Sequence, residues 1–172
     1  MSRSFSGKII LVVLFLMGVD ICWASAAGAF RPVATYLWVM YVAFHWPAKE
    51  LLPTAIFVGI LRDLTGSLPL GVETVSLAAM AASLIFLLQK FQRDSFLIQW
   101  IIGIFFVLAV SLSNLFLSAF LGSGTSLTWF SFLSCLGASV ATALIMPLFF
   151  WLTSRWFYRE TTALKRQYEL FG

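Results

Sequence analysis

The sharpest candidates for chemistry in this 172-residue chain lie in one stretch, Phe57–Gly71, which reads FVGILRDLTGSLPLG. Arg62 and Asp63 stand there inside apolar sequence, between Gly59 and a break formed by Gly66, Pro69 and Gly71. Bringing such a carboxylate into hydrocarbon costs about 2.5–3.5 kcal/mol unless a partner, a cavity or the interface relieves it. Asp63 follows Gly59 by four residues and precedes Gly66 by three, so one helix face presents small, acid, small on successive turns. Such a face lets another backbone come close to the carboxylate. Arg62 points about 100° away on the same helix and cannot pair with Asp63. Its candidate partners are a phosphate headgroup, another helix, or Glu73, which opens the next apolar run where free helix amides favour a carboxylate.

Asp20 falls near the middle of the first apolar run and reads as the most deeply placed acid. It is expected to be neutral or hydrogen-bonded to a polar stripe such as Ser111, Asn114 and Ser118 on the fifth run. Ser134, Ala138 and Ala141 form a small-residue face on the sixth, of the kind that packs helices. His45 beside Trp46-Pro47 reads as an interfacial structural residue, with no second His to complete a ligand set. Cys22 and Cys135 sit in apolar runs without metal or disulfide spacing and read as small apolar fillers. No serine has a His base in a nucleophile motif, and there is neither a P-loop nor a GxGxxG. Enzymatic chemistry thus finds little support, and no cofactor or metal is expected.

These residues must be held by membrane helices. Hydrophobic residues make up 61% and charged residues 10% of the chain, which excludes soluble globular and disordered classes. Six apolar runs can be read: 9–30, 33–46, 51–64, 71–88, 96–121 and 127–152. The expected fold is an all-α, six-helix transmembrane bundle over 1–154 with a tail over 155–172. The second and third runs are short. At about 1.5 Å per residue they fall below the ~30 Å hydrocarbon thickness, so they either thin the bilayer locally or form a hairpin inside the bundle. With a cytoplasmic N-terminus, the inner segments hold nine Lys/Arg residues and the outer ones only Arg31. That bias puts both termini in the cytoplasm and explains the net charge of +4 better than a nucleic-acid partner does. Asp63 then lies about 5 Å below the Gly66 end of its helix, near the external interface.

The start also looks like a secretory signal, since Arg3 and Lys8 precede an apolar stretch ending in Ala24-Ser25-Ala26. Asp20 interrupts that stretch and the apolar run continues to Phe30, so an uncleaved first helix is the better reading. In the tail, Phe157, Thr161, Leu164, Tyr168 and Phe171 recur at helical spacing. Two readings stand for it: an amphipathic helix along the cytoplasmic surface, or a solvated basic anchor.

Arg31-Pro32, Trp46-Pro47, Gly59 with Asp63-Leu64-Thr65-Gly66 and Pro69-Leu70-Gly71, and the late Ala143–Leu148 segment together resemble the bacterial rod shape-determining protein MreD family. The specific part is Gly59–Gly71. Two features depart from the family pattern: Val33 stands where an acid often follows Arg-Pro, and Arg62 where an apolar residue precedes the Asp. The resemblance implies an inner-membrane scaffold of the elongation machinery, similar in fold to the substrate-binding subunits of energy-coupling-factor transporters. It also implies a single-span partner, MreC, and through it the MreB filament, RodA and a class B penicillin-binding protein. Membrane lipid and a second copy of the chain are further candidate partners.

The leading expectation is a non-enzymatic scaffold that docks a partner's helix against the first and third spans. Gly59 and Gly66 would provide close packing and Asp63 a directional contact; Arg62, Pro69, Gly71, Glu73 and Arg31 complete the candidate surface. The alternative is a small-molecule carrier subunit in which Asp20, Asn114 and the Arg62/Asp63 pair line a pocket.

Overall fold

A computed structural model of the chain describes residues 3–26, 32–66, 68–90, 96–122 and 128–171, with side chains described over 9–23, 32–66, 68–89, 97–122 and 128–156. Among these residues all regular structure is helical: α1 (Arg3–Ala26), α2 (Ala34–His45), α3 (Ala48–Thr65), α4 (Val72–Lys90), α5 (Phe96–Phe120) and α6 (Trp129–Phe171). Three helices carry stretches long and apolar enough to cross a membrane, over Val72–Gln89, Leu97–Phe120 and Trp129–Trp156. The apolar part of α1, Ile9–Trp23, is shorter. With 12 residues α2 reaches only about 18 Å. In α3, Lys49, Glu50, Arg62 and Asp63 interrupt the apolar character of its 18 residues.

The breaks follow local chemistry. A residue before proline is pushed out of the helical region, and Trp46, ahead of Pro47, is extended at φ −112°, ψ 164°, so α2 stops at His45 and α3 starts at Ala48. Between α3 and α4, Gly71 adopts φ +93°, a left-handed conformation open to glycine and strained for other residues. Its carbonyl accepts the Val75 N–H at 2.9 Å, and α4 begins.

The centre of the bundle is α2. Every residue from Ala34 to Phe44 is buried, as a helix apolar on all sides requires, and α2 touches each of the other five helices. The helices α3, α4, α5 and α6 pack against one another in chain order around it, and α1 lies against α2. Helix α2 lies wholly inside the bundle, whereas α3 keeps Leu52, Ile60 and Leu64 exposed. Aromatic rings fill the far half of α2. Trp38 stacks on Tyr41 at 5.7 Å, Tyr41 on His45 at 4.6 Å, and Phe150 of α6 meets the Tyr41 and His45 rings edge-on. His45 is thus half-buried and held within an aromatic cluster, with Nδ1 3.2 Å from the Tyr41 carbonyl.

The sixth run and the tail share one helix, since α6 runs 43 residues without interruption through the 154/155 boundary. No Gly or Pro stands between Leu148 and Phe171 to end it, and the change to charged residues alters solvation without breaking backbone hydrogen bonds. The amphipathic stripe expected on the tail falls beyond the described side chains. Helix α3 takes in Ala48–Glu50 and Thr65 in addition to the run 51–64. Asp20 lies in the second half of α1, level with the start of α2.

Candidate functional site: a polar cluster at one end of the bundle

Any helix starts with amide groups that have no partner in the helix. For a helix buried inside a bundle, water cannot supply one. At α2 these amides meet side chains from distant parts of the chain. The Val33 N–H donates to Thr142 Oγ1 of α6 at 3.0 Å. Asp20 of α1 accepts from the Ala34 N–H through Oδ1 and from the Thr35 N–H at 3.2 Å through Oδ2. The Thr35 hydroxyl also donates to Asp20 Oδ2, at 2.7 Å. At α4 the same solution recurs with another acid. Asp63 of α3 accepts from the Glu73 N–H at 3.0 Å, from the Thr74 N–H at 3.1 Å and from the Thr74 hydroxyl. Both carboxylates therefore sit on the positive ends of helix dipoles, where negative charge is favoured.

Arg62 joins the two caps. Its Nη1 lies 3.0 Å from Asp20 Oδ2 and 2.7 Å from Thr35 Oγ1, while Nε and Nη2 hold the two oxygens of Glu73 at 2.6 and 3.1 Å. The guanidinium also covers the Tyr36 ring at 4.8 Å. Tyr36 donates its hydroxyl to Glu73 Oε2 at 3.1 Å and accepts from Asn114 Nδ2 at 3.2 Å. With Thr142 on Val33, side chains from all six helices converge on the start of α2. Asp63, Glu73 and Asn114 are buried, and Arg62 and Asp20 keep 15% of their side-chain surface exposed. In a low-dielectric interior such charges persist because each has a charged or dipolar partner.

The predicted site residues fall into place as follows. Of the partners open to Arg62, the structure selects Glu73 and adds Asp20. Asp20 does not reach the stripe on α5; Asn114 of that stripe binds Tyr36 instead. Glu73 and Asp63 are more enclosed by protein than Asp20. Gly59 meets α4 of its own chain. A Cβ there would come within 2.5 Å of Thr74 Cα, so the small residue allows α3 and α4 to touch backbone to backbone. Gly66 closes α3, its N–H donating to the Arg62 carbonyl at 2.7 Å, and the Pro69 carbonyl accepts the Val72 N–H at 3.2 Å. Arg31 lies outside the described residues.

Sequence reasoning missed Thr35, Tyr36, Thr74 and Thr142. Thr35, Tyr36 and Thr74 carried a usable signal, as polar residues in the first turn of apolar runs. Thr142, from more than a hundred residues away, carried none.

The chain matches no family model, no curated protein and no solved structure. What the arrangement can do is therefore argued from its own atoms. The carboxylates of the cluster are engaged by helix amides, hydroxyls and one guanidinium, which makes it a device for locking helices together. Among the described residues, Asn114 Oδ1 and Ser76 Oγ are buried without a hydrogen-bond partner.

Proposed function

We propose that this protein is a non-enzymatic inner-membrane scaffold of the bacterial rod complex, as its likeness to the MreD family implies. In this reading the chain crosses the membrane six times with both termini cytoplasmic, and the polar cluster lies at the external end. It binds a single-span, MreC-like protein and so helps organise lateral wall synthesis with the MreB filament, RodA and a class B penicillin-binding protein.

One observation carries the reading. The block Gly59–Gly71, which holds the specific part of the resemblance, is the segment that clasps α3 to α4 through Gly59 and Asp63. A scaffold needs a fixed outer surface, and this clasp fixes the one that α3 presents. That surface carries Ile60 and Leu64, while Ile10, Leu14 and Ile21 line an exposed face of α1. A partner helix would pack on these apolar rows, since helix association in lipid rests on close packing. Asp63 contributes by holding α4 in place, and its effect on the partner is indirect.

The carrier reading draws on the same residues but asks them to bind substrate. Asp20 is already engaged by α2 and Arg62, Arg62 by Asp20 and Glu73, and Asp63 by the start of α4, which favours the scaffold.

The test is mass spectrometry of what co-purifies with a tagged copy expressed at native level in its own host after mild detergent extraction. Recovery of an MreC-like single-span protein with wall synthases, reduced by Leu64→Trp or Asp63→Leu at unchanged membrane abundance, is the expected result. Recovery with an ATPase-coupled transport module, or alone with a retained small molecule, would replace the scaffold by the carrier.

A further inference from the structure

On α5 the polar cluster ends in an amide that is only half used. Asn114 donates through Nδ2 to the Tyr36 hydroxyl, while its Oδ1 is buried without a hydrogen-bond partner. Chemistry decides which arm of the amide faces Tyr36. The Glu73 carboxylate, held by Arg62, only accepts, so the Tyr36 hydroxyl gives its one proton to Glu73 Oε2 and can only accept from Asn114. The group left over is therefore an acceptor, on a residue that is 7% exposed.

A matching donor stands on α4. The Ser76 hydroxyl is buried too, at 1% exposure, and has no partner among the described residues. Ser76 follows Glu73 by three residues, so both side chains leave one face of α4 a turn apart. Glu73 reaches Tyr36 from that face and Asn114 reaches it from α5, while α4 and α5 pack on each other and both touch α2. By helix rise Ser76 lies about 6 Å in from the start of α4 and Asn114 about 9 Å in from the end of α5, a similar depth at the same end of the bundle.

Leaving a buried hydroxyl and a buried carbonyl unpaired is costly, and where no protein group reaches such atoms internal water is their usual partner. Water takes a hydroxyl proton and gives one to a carbonyl, which is the complement of Ser76 and Asn114. A cation does not fit this pair. Neither atom is charged, and the carboxylates of the cluster are taken up by amides, hydroxyls and Arg62.

We propose that one internal water molecule is bound at the junction of α2, α4 and α5, accepting from the Ser76 hydroxyl and donating to Asn114 Oδ1. It closes a ring that leaves α4 at Glu73, passes through Tyr36 of α2 and Asn114 of α5, and returns to α4 at Ser76. The proposal goes beyond the scaffold reading and does not depend on it.

The test compares two serines of α4 by melting temperature of the full chain in detergent. Ser83 is exposed and its hydroxyl turns back on the Ala79 carbonyl at 3.0 Å, so Ser83→Ala should leave the melting temperature unchanged or raise it through helix propensity. Ser76→Ala should lower it, because the water loses its donor. In an Asn114→Leu background, where the leucine takes the place of the water, Ser76→Ala should have no such effect; Asn114→Ala replaces that background should the leucine variant fail to fold. A crystal structure at a resolution that shows ordered water should place one within hydrogen-bonding distance of both atoms. A melting temperature unchanged or raised by Ser76→Ala, an equal loss in both backgrounds, or a Ser76 hydroxyl turned back on the Val72 carbonyl with no water at Asn114 would each overturn the proposal.

Discussion

Arg62 holds Glu73 by two parallel contacts, Nε to Oε2 at 2.6 Å and Nη2 to Oε1 at 3.1 Å, and so ties α3 to the first turn of α4. The planar fork of arginine is what allows this while Nη1 still reaches Asp20; a lysine ammonium could occupy one of these positions at a time. Glu73→Ala leaves Arg62 Nε and Nη2 without their carboxylate, with only Asp20 still facing the guanidinium, and removes the acceptor of the Tyr36 hydroxyl. The expected loss is about 3 kcal/mol, at the lower end for a broken buried pair because Arg62 keeps some exposure. Asn114→Leu removes one neutral interhelical hydrogen bond, of the kind that averages about 0.6 kcal/mol in membrane helices. Thermal unfolding in detergent should therefore rank Glu73→Ala far below Asn114→Leu, and Arg62→Lys between them. Equal effects would mean that the ion pair contributes no more than an ordinary hydrogen bond.

Glycine positions separate contact from propensity. At Gly59 an added methyl meets the Thr74 backbone, which cannot swing away as a side-chain end can, so Gly59→Ala must part α3 from α4 and should cost about 1–3 kcal/mol. Gly18, in the interior of α1, has nothing within 4 Å of the same methyl. There the substitution should be neutral or stabilising by up to about 1 kcal/mol, through helix propensity alone. Opposite signs in melting temperature are the expected outcome. A neutral Gly59→Ala would show that the close approach carries no weight.

The fold could be read from the sequence as far as its signals are local. Hydropathy runs and the Trp46-Pro47 and Gly66–Gly71 breaks locate the helices and their turning points, because each break acts on its own backbone. Glu73 could be named as a partner of Arg62 because the turn between them is short. The caps were not legible. Whether Asp20 meets the start of α2 or a polar stripe on α5 depends on helix placement, which composition does not encode, and the Thr142 to Val33 contact spans four whole helices and the first part of α6. The same gap led Asp63 to be read as facing outward, since a Gly-x3-Asp face looks alike whether it meets a partner or the next helix of its own chain.

Asp63 offers a graded test of the α4 cap. Leucine at this position leaves the Glu73 and Thr74 amides and the Thr74 hydroxyl without an acceptor in a buried setting, at about 1–3 kcal/mol for an orphaned group. Asparagine restores one acceptor oxygen and gives up the charge facing the helix dipole, so Asp63→Asn should lie between the wild type and Asp63→Leu. Amide hydrogen exchange in detergent should report the difference first at residues 73–75. Faster exchange spread evenly over α4 instead would mean that Asp63 governs the packing of the whole helix rather than its first turn.

Asp20 links the least enclosed helix to the centre. Helix α1 packs on α2, and within the cluster its only described contribution is this carboxylate, which caps α2 and faces Arg62. Asp20→Leu removes both roles at once, so it should cost more than Thr142→Val, which takes away a single acceptor from the Val33 amide, worth about 1–2 kcal/mol. The two losses should also add unequally. Thr142 and Asp20 serve adjacent amides of one helix start, and residues sharing a network deviate from additivity by about 0.5–3 kcal/mol. Melting temperatures of the two single variants and the double variant measure that coupling. Simple additivity would show that α6 and α1 hold α2 independently, and that the six-helix convergence is six separate contacts rather than one cooperative lock.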